Sequence, residues 1–135
     1  MSAGEALKSY LVSDTTGVNS TVSGRIHQNT IPLVSSRPNI WFMRSAEHHI
    51  TAMSGGTGLR KTSFDVECIA TSGDAAIDLA DEVKSRLHAA SSTTAGVNIR
   101  TMLVEDHDDS YAPKGLGSDD GLHVSALDVT MWHTT

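Results

Sequence analysis

The sequence holds a single cysteine, Cys68, in 135 residues. One thiol can form no intrachain disulfide and cannot build a cysteine-rich zinc site, so Cys68 reads as a small core residue of a chain made in a reducing compartment. Aromatic residues are scarce too, at 4%. With a hydrophobic share of 39%, they permit a compact but thin core, leaving apolar surface for neighbouring subunits to bury. Positive charge is also short. Ten Lys and Arg against sixteen Asp and Glu give a formal charge of -6, the wrong balance for a protein that grips phosphates. No apolar run is long enough to span a bilayer, and the first eight residues lack the basic start and apolar stretch of a secretion signal. The expectation is a soluble chain, cytoplasmic when synthesised, with no membrane partner.

What the chain does have is periodicity. Ala3, Ala6, Leu7, Tyr10 and Leu11 share one stripe and predict a helix ending near Ser13. Asp14 to Ser23, rich in Thr, Ser, Gly and Asn, has no helical period and reads as a loop. Gly24 leads into a short strand around Arg25 to Gln28. Pro38 biases Arg37 towards extended geometry, and Asn39 to Arg44 then alternates, Ile40 and Phe42 on one face, Trp41 and Met43 on the other. Glu47 to Met53 continues extended, whereas Ser54-Gly-Gly-Thr-Gly58 is too glycine-rich for regular structure and reads as a mobile loop. From Arg60 to Thr71, Phe64, Val66, Cys68 and Ala70 alternate with Ser63, Asp65, Glu67 and Ile69, a strand with one wet face.

A second helix follows, with Asp74 as N-cap and Ala76, Leu79, Ala80, Val83 and Leu87 as its apolar stripe. Its acidic residues come early and its basic ones late, the order the helix dipole favours. Past an Ala89 to Gly96 linker, Val97 to Val104 and Leu122 to Trp132 read as two strands. Val97, Ile99 and Leu103 mark one face of the first, and Leu127, Val129 and Met131 one face of the last; Glu105 to Gly121 between them reads as a polar loop. This order predicts an α+β class, a mostly antiparallel β-sheet with two α-helices packed on one face, as a single domain over residues 1–135.

The enzyme chemistry these residues come nearest to is metal hydrolysis. Seven histidines are many for this length, and Glu47-His48-His49 could meet Glu105-Asp106-His107-Asp108-Asp109 in the fold. Adjacent histidines on a strand point to opposite faces, however, and the spacing matches no helical ligand motif, so a polar strand edge and a solvated acidic loop are the simpler reading. Cys68 lies mid-strand on an apolar face, and no Gly-x-Ser-x-Gly elbow occurs. The glycine segment lacks the Lys-Ser/Thr ending and the following helix of a phosphate-binding loop. Arg37, Arg44, Arg60 and Lys61 form a candidate basic patch without interleaved aromatics, more simply a solvated sheet edge. Trp41 and Trp132 read as core or subunit-contact residues.

Taken in order, several features resemble the tail terminator, or tail completion, family of long-tailed bacteriophages over nearly the whole chain. They are the helix with Leu7, Tyr10 and Leu11, Gly24-Arg25-Ile26, Pro38-Asn-Ile-Trp-Phe42, Ser54-Gly-Gly-Thr-Gly-Leu59, Phe64-Asp-Val66, the helix from Asp74 to Leu87, and Leu127-Asp-Val-Thr-Met-Trp132. The resemblance implies a structural virion protein, not an enzyme, with no catalytic residue, metal or cofactor. It implies a hexameric ring on the head-proximal end of a tail tube, ending polymerisation and presenting a head-joining surface. The partners so implied are further copies of the chain, the major tail tube protein and a head connector or stopper. DNA would pass through the lumen without specific binding. The implied location is the virion tail, at the neck, after assembly in the host cytoplasm. Contact with the tube or with other subunits is assigned to Ser54, Gly55, Gly56, Thr57, Gly58, Leu59 and Arg60, and acidic side chains to the lumen. The chain departs from the family at His27, where an aromatic commonly follows the isoleucine, and in the long Glu105 to Gly121 segment. Another neck or head-completion component and a small metal-dependent hydrolase are the alternative readings.

Overall fold

Two long hairpins make the frame. The computed structural model describes residues 3–15, 17–29, 38–52, 55–88, 90–94, 96–112 and 122–134. β2 (Asn39–Ala52) pairs antiparallel with β3 (Gly55–Ala70), and β5 (Val97–Ala112) with β6 (Leu122–Thr134); β3 lies antiparallel against β6. Two three-residue strands sit at the rims, β1 (Ile26–Gln28) parallel to β2 and β4 (Ser92–Thr94) antiparallel to β5. The sheet order is β1-β2-β3-β6-β5-β4. The fold is α+β, with a sheet that is antiparallel at every junction except β1–β2.

Among the described residues three helices cover one face. α1 (Ala3–Val12) buries Ala6, Leu7 and Leu11, as its stripe predicts. α3 (Gly73–Leu87) buries Ala76, Leu79, Ala80, Val83 and Leu87 and lies across β3, β5 and β6. Between them the segment expected to be a loop contains α2 (Val18–Val22), a helix of five residues whose Val18 and Val22 enter the core. Asp14 explains why it forms, since its carboxylate accepts from the Val18 amide at 3.0 Å and satisfies a donor the helix start leaves open. The α3 cap also differs from expectation. Ser72, not Asp74, is the N-cap and its hydroxyl accepts from the Ala75 amide at 3.2 Å, while Asp74 lies in the first turn where it still suits the dipole.

The strand alternation places Ile40, Phe42, Phe64, Val66, Cys68, Leu127, Val129 and Met131 under these helices in one core cluster. Phe42 and Phe64 meet edge to face with ring centroids 5.8 Å apart, a favourable aromatic geometry. Burial pushes the Cys68 thiol up to about 12, so the core cysteine is inert.

Extra residues in the ladder reset the alternation, and here the expectations fail most. Ser45 is inserted in β2 between partners of Phe64 and Ser63, and Arg100 and Glu105 are inserted in β5 opposite β6. The insertion at Arg100 turns Met102 into the core and leaves Leu103 37% exposed on the far side, so Leu103 does not share a face with Val97 and Ile99. Glycine content also misled. Gly55 and Gly56 are already in β3, paired with Ala52 and Thr51, and only Gly58 takes a left-handed φ of 77°, where the ladder is irregular. The expected polar loop shrinks likewise, because residues 105–112 continue β5 against β6.

Leu79 is fully buried and Ile77, two residues earlier on α3, is 37% exposed. Leu79→Ala should lower unfolding free energy by about 2–5 kcal/mol, whereas Ile77→Ala should cost under about 1 kcal/mol, both read by urea denaturation.

Candidate interaction face: the open side of the sheet

The helices leave the opposite face of the four long strands largely to solvent, and the register fixes which side chains meet there. Across β2, β3, β6 and β5 one row runs Trp41, Glu67, Ala126, Asp108; the next runs Met43, Asp65, Asp128, Asp106. Three aspartates therefore stand side by side on adjacent strands. Like charges directly opposite in a sheet repel, so this row costs stability. Burial first, then the neighbouring Asp65, raises the Asp128 carboxyl above its ordinary value, while a hydrogen bond with Asp106 pulls the other way.

The next two rows are less charged. Thr130, between Ser63 and Leu103, donates its hydroxyl to Glu105 at 2.8 Å. Trp132 lies between Lys61 and Thr101, and the Lys61 ammonium sits 5.4 Å from its ring centroid. Trp41 donates its indole N–H to Glu67. Both tryptophans are thus half-buried on the open face and outside the core. Met43 at 43% and Leu103 at 37% exposure add apolar surface to an otherwise acidic face.

The structure separates what the candidate metal site needed together. His48 and His49 are exposed on β2, opposite Lys61 and Arg60, while residues 105–109 lie on β5. β3 and β6 intervene, about 14 Å across at ordinary strand spacing, and the histidines are level with residues 99–101 of β5, so the offset along the strands adds to that separation. Among the described residues no group of three or more metal-ligating side chains converges. His107 instead bonds Asp109 at 2.9 Å and Lys84 at 2.9 Å. The basic patch is divided as well. Lys61 faces the open side with Trp132, Arg60 is opposite His133 on the other phase, Arg44 pairs with Glu47 at 3.6 Å, and Arg37 lies outside the described residues.

Of the residues assigned to contact, Ser54 lies outside the described residues; Gly55 and Gly56 are ladder positions, Gly58 is exposed, and Leu59 and Arg60 are half-buried opposite Thr134 and His133. At that same end the Thr62 hydroxyl and His133 Nε2 form a buried contact of 2.7 Å. Burial holds His133 below its ordinary value. Neither this pair nor the aspartate row is legible from spacing, because each depends on which residues of distant strands stand opposite. The signal that existed was partial: alternation put Asp65 on a wet face.

Neither a protein-family model nor a curated protein matches the chain. Among solved structures it is similar to a chain from the virion of a native gene transfer agent particle, with a TM-score of 0.63 and 13% identity over 97% of this chain and 94% of that one. At that identity the likeness is one of fold.

Asp128→Asn removes the middle charge of the row. With a raised folded pKa, the carboxyl contributes its full stability below the unfolded value near 3.9 and loses it as pH rises through the folded one. The variant should therefore be more stable than the parent at pH 7, by roughly 0.2–1 kcal/mol, and the gain should vanish in acid. Urea titrations at the two pH values read it.

Proposed function

We propose that this chain is a structural subunit of a phage-like particle, set as a ring on the head-proximal end of a tail tube. There it ends tube polymerisation and offers the surface on which the head is joined. The observation that carries this reading is the end-to-end likeness to a chain of a gene transfer agent virion, which spans nearly all of both chains. It agrees with a resemblance to tail terminators found in the sequence itself. The whole chain, residues 1–135, acts as one domain, and its partners are copies of itself, the tube protein and a head connector or stopper.

The site chemistry fits a role in shape and contact. Among the described residues no group of three or more metal-ligating side chains is placed to hold an ion, and Cys68 is buried and unreactive. A passage lined by Asp65, Asp106, Asp108 and Asp128 repels phosphates, so DNA slides past without being held. Residues 54–60, at the end of the β2–β3 hairpin, meet the tube or a neighbouring subunit.

Particles produced without this chain and imaged in negative stain should carry overlong tails or tails unjoined to heads. Tails of ordinary length attached to heads would overturn the proposal. Deleting residues 55–58 should leave a folded protein, by circular dichroism, that fails to restore joined tails to such particles. Full restoration would remove the assignment of this segment.

A further inference from the structure

The two outer long strands each keep one edge uncovered over much of their length. β1 pairs only with Ile40, Trp41 and Phe42 of β2, and β4 only with residues 97–99 of β5. Further along β5 the Val104 amide donates to His88 Nδ1 at 3.3 Å, closing the edge at that point. Among the described residues, no strand lies beside 43–49 of β2 or 105–111 of β5 on the outer side. An open edge of this length templates pairing with another chain unless its side chains forbid it.

The side chains on the two edges differ in charge. Residues 105–111 carry Glu105, Asp106, Asp108 and Asp109, with His107 the single basic group and already engaged by Asp109. Residues 43–49 carry Arg44 and Glu47, which pair with each other at 3.6 Å, and the polar His48 and His49, so this edge has no excess of carboxylates. Four carboxylates keep the β5 edge from pairing with its own kind. They leave it suited to an edge without such an excess of negative charge.

We propose that the acidic edge of β5 in one copy adds antiparallel to the histidine- and arginine-bearing edge of β2 in the next. This rests on the reading of the chain as a ring subunit and names the surfaces that close the ring. Strand direction permits it, because β2 and β5 of one copy run in opposite senses through the β2–β3–β6–β5 ladder, and a neighbour placed by rotation about an axis along the strands presents an antiparallel partner. Direct level pairing is blocked, since β1 already occupies the part of β2 level with residues 107–109. The incoming strand must slide towards the β2–β3 tip by roughly five residues, about 17 Å at the rise of an extended strand. A constant slide in one sense at every junction is what a closed, tilted sheet requires.

The twist supports the same arrangement. α1 touches both β1 and β4, so those two diagonal corners of the sheet turn towards the helices. In a twisted sheet the other two corners turn the opposite way. These are the corners with uncovered edges, and they bend towards the open acidic face, which makes that face concave towards a ring axis.

His48 and Asp108 are exposed and both stand on the open face, opposite Lys61 and Ala126. A short bis-maleimide added to an equimolar mixture of His48→Cys and Asp108→Cys chains, in concentrated solution and on isolated particles, should give a covalent dimer. Each variant alone should give at least about fivefold less, and the double variant should give a ladder. The native Cys68 is buried and does not contribute. Should either variant lose its fold by circular dichroism, Ser45→Cys with Ser110→Cys tests the same edges. No dimer in either setting, or as much dimer from one variant alone as from the mixture, would overturn the proposal. Particles that need the chain for joined tails but whose subunits fail to cross-link would sink the edge pairing alone. Normal tails without the chain would sink the ring reading whatever the cross-link shows.

Discussion

Burial on one side only governs this molecule. α3 lays Leu79, Val83 and Leu87 over the centre of the four-stranded ladder, α1 reaches both rim strands, β1 and β4, and α2 packs against α1 and α3. Each buried aliphatic side chain contributes about 1.5–3 kcal/mol relative to exposure, and this layer sets Leu7, Leu11, Leu79 and Leu87 against the larger apolar set that the strands supply. The helix layer thereby decides, through the two-residue period of the strands, which half of every strand is core. The other half is left to water, and three aspartates can stand abreast there only because no helix packs over them.

That division explains how much was readable beforehand. The stripes of α1 and α3 and the alternation of β3 are complete within ten to fifteen residues of one segment, so the sequence displays them directly. The α+β class with helices on one face followed from them. What failed depended on partners far along the chain. Gly55 and Gly56 read as loop from composition, yet Ala52 and Thr51 supply the backbone partners that hold them extended. The acidic run after Val104 read as solvated loop, yet β6 pairs with all of it. α2 was missed because five residues are too short to show a period, and Leu103 was misplaced by a residue inserted one turn of the pleat earlier.

The candidate site was legible only as composition. An excess of carboxylates pointed to an acidic surface, and the alternation of β3 showed that Asp65 belonged to it, but the row through Asp128 and Asp106 exists only in the register. Conversely, a histidine pair and an acidic run that looked like ligands in search of a fold are held on strands with two others between them. Surface chemistry here is distributed across a face, and among the described residues no group of three or more metal-ligating side chains converges on a point.

The inserted residues Ser45, Arg100 and Glu105 carry one more consequence. Each takes up one extra residue locally and leaves the pairing beyond it in place, so excising Ser45 would set Ala46 opposite Ser63 directly after Arg44 opposite Phe64, with Glu47 still on the core side and His48 on the open one. Drift in the length of these hairpins is therefore absorbed where it arises. Over evolutionary time a single residue gained or lost makes or removes a kink, and the inward and outward sets on either side of it keep their places.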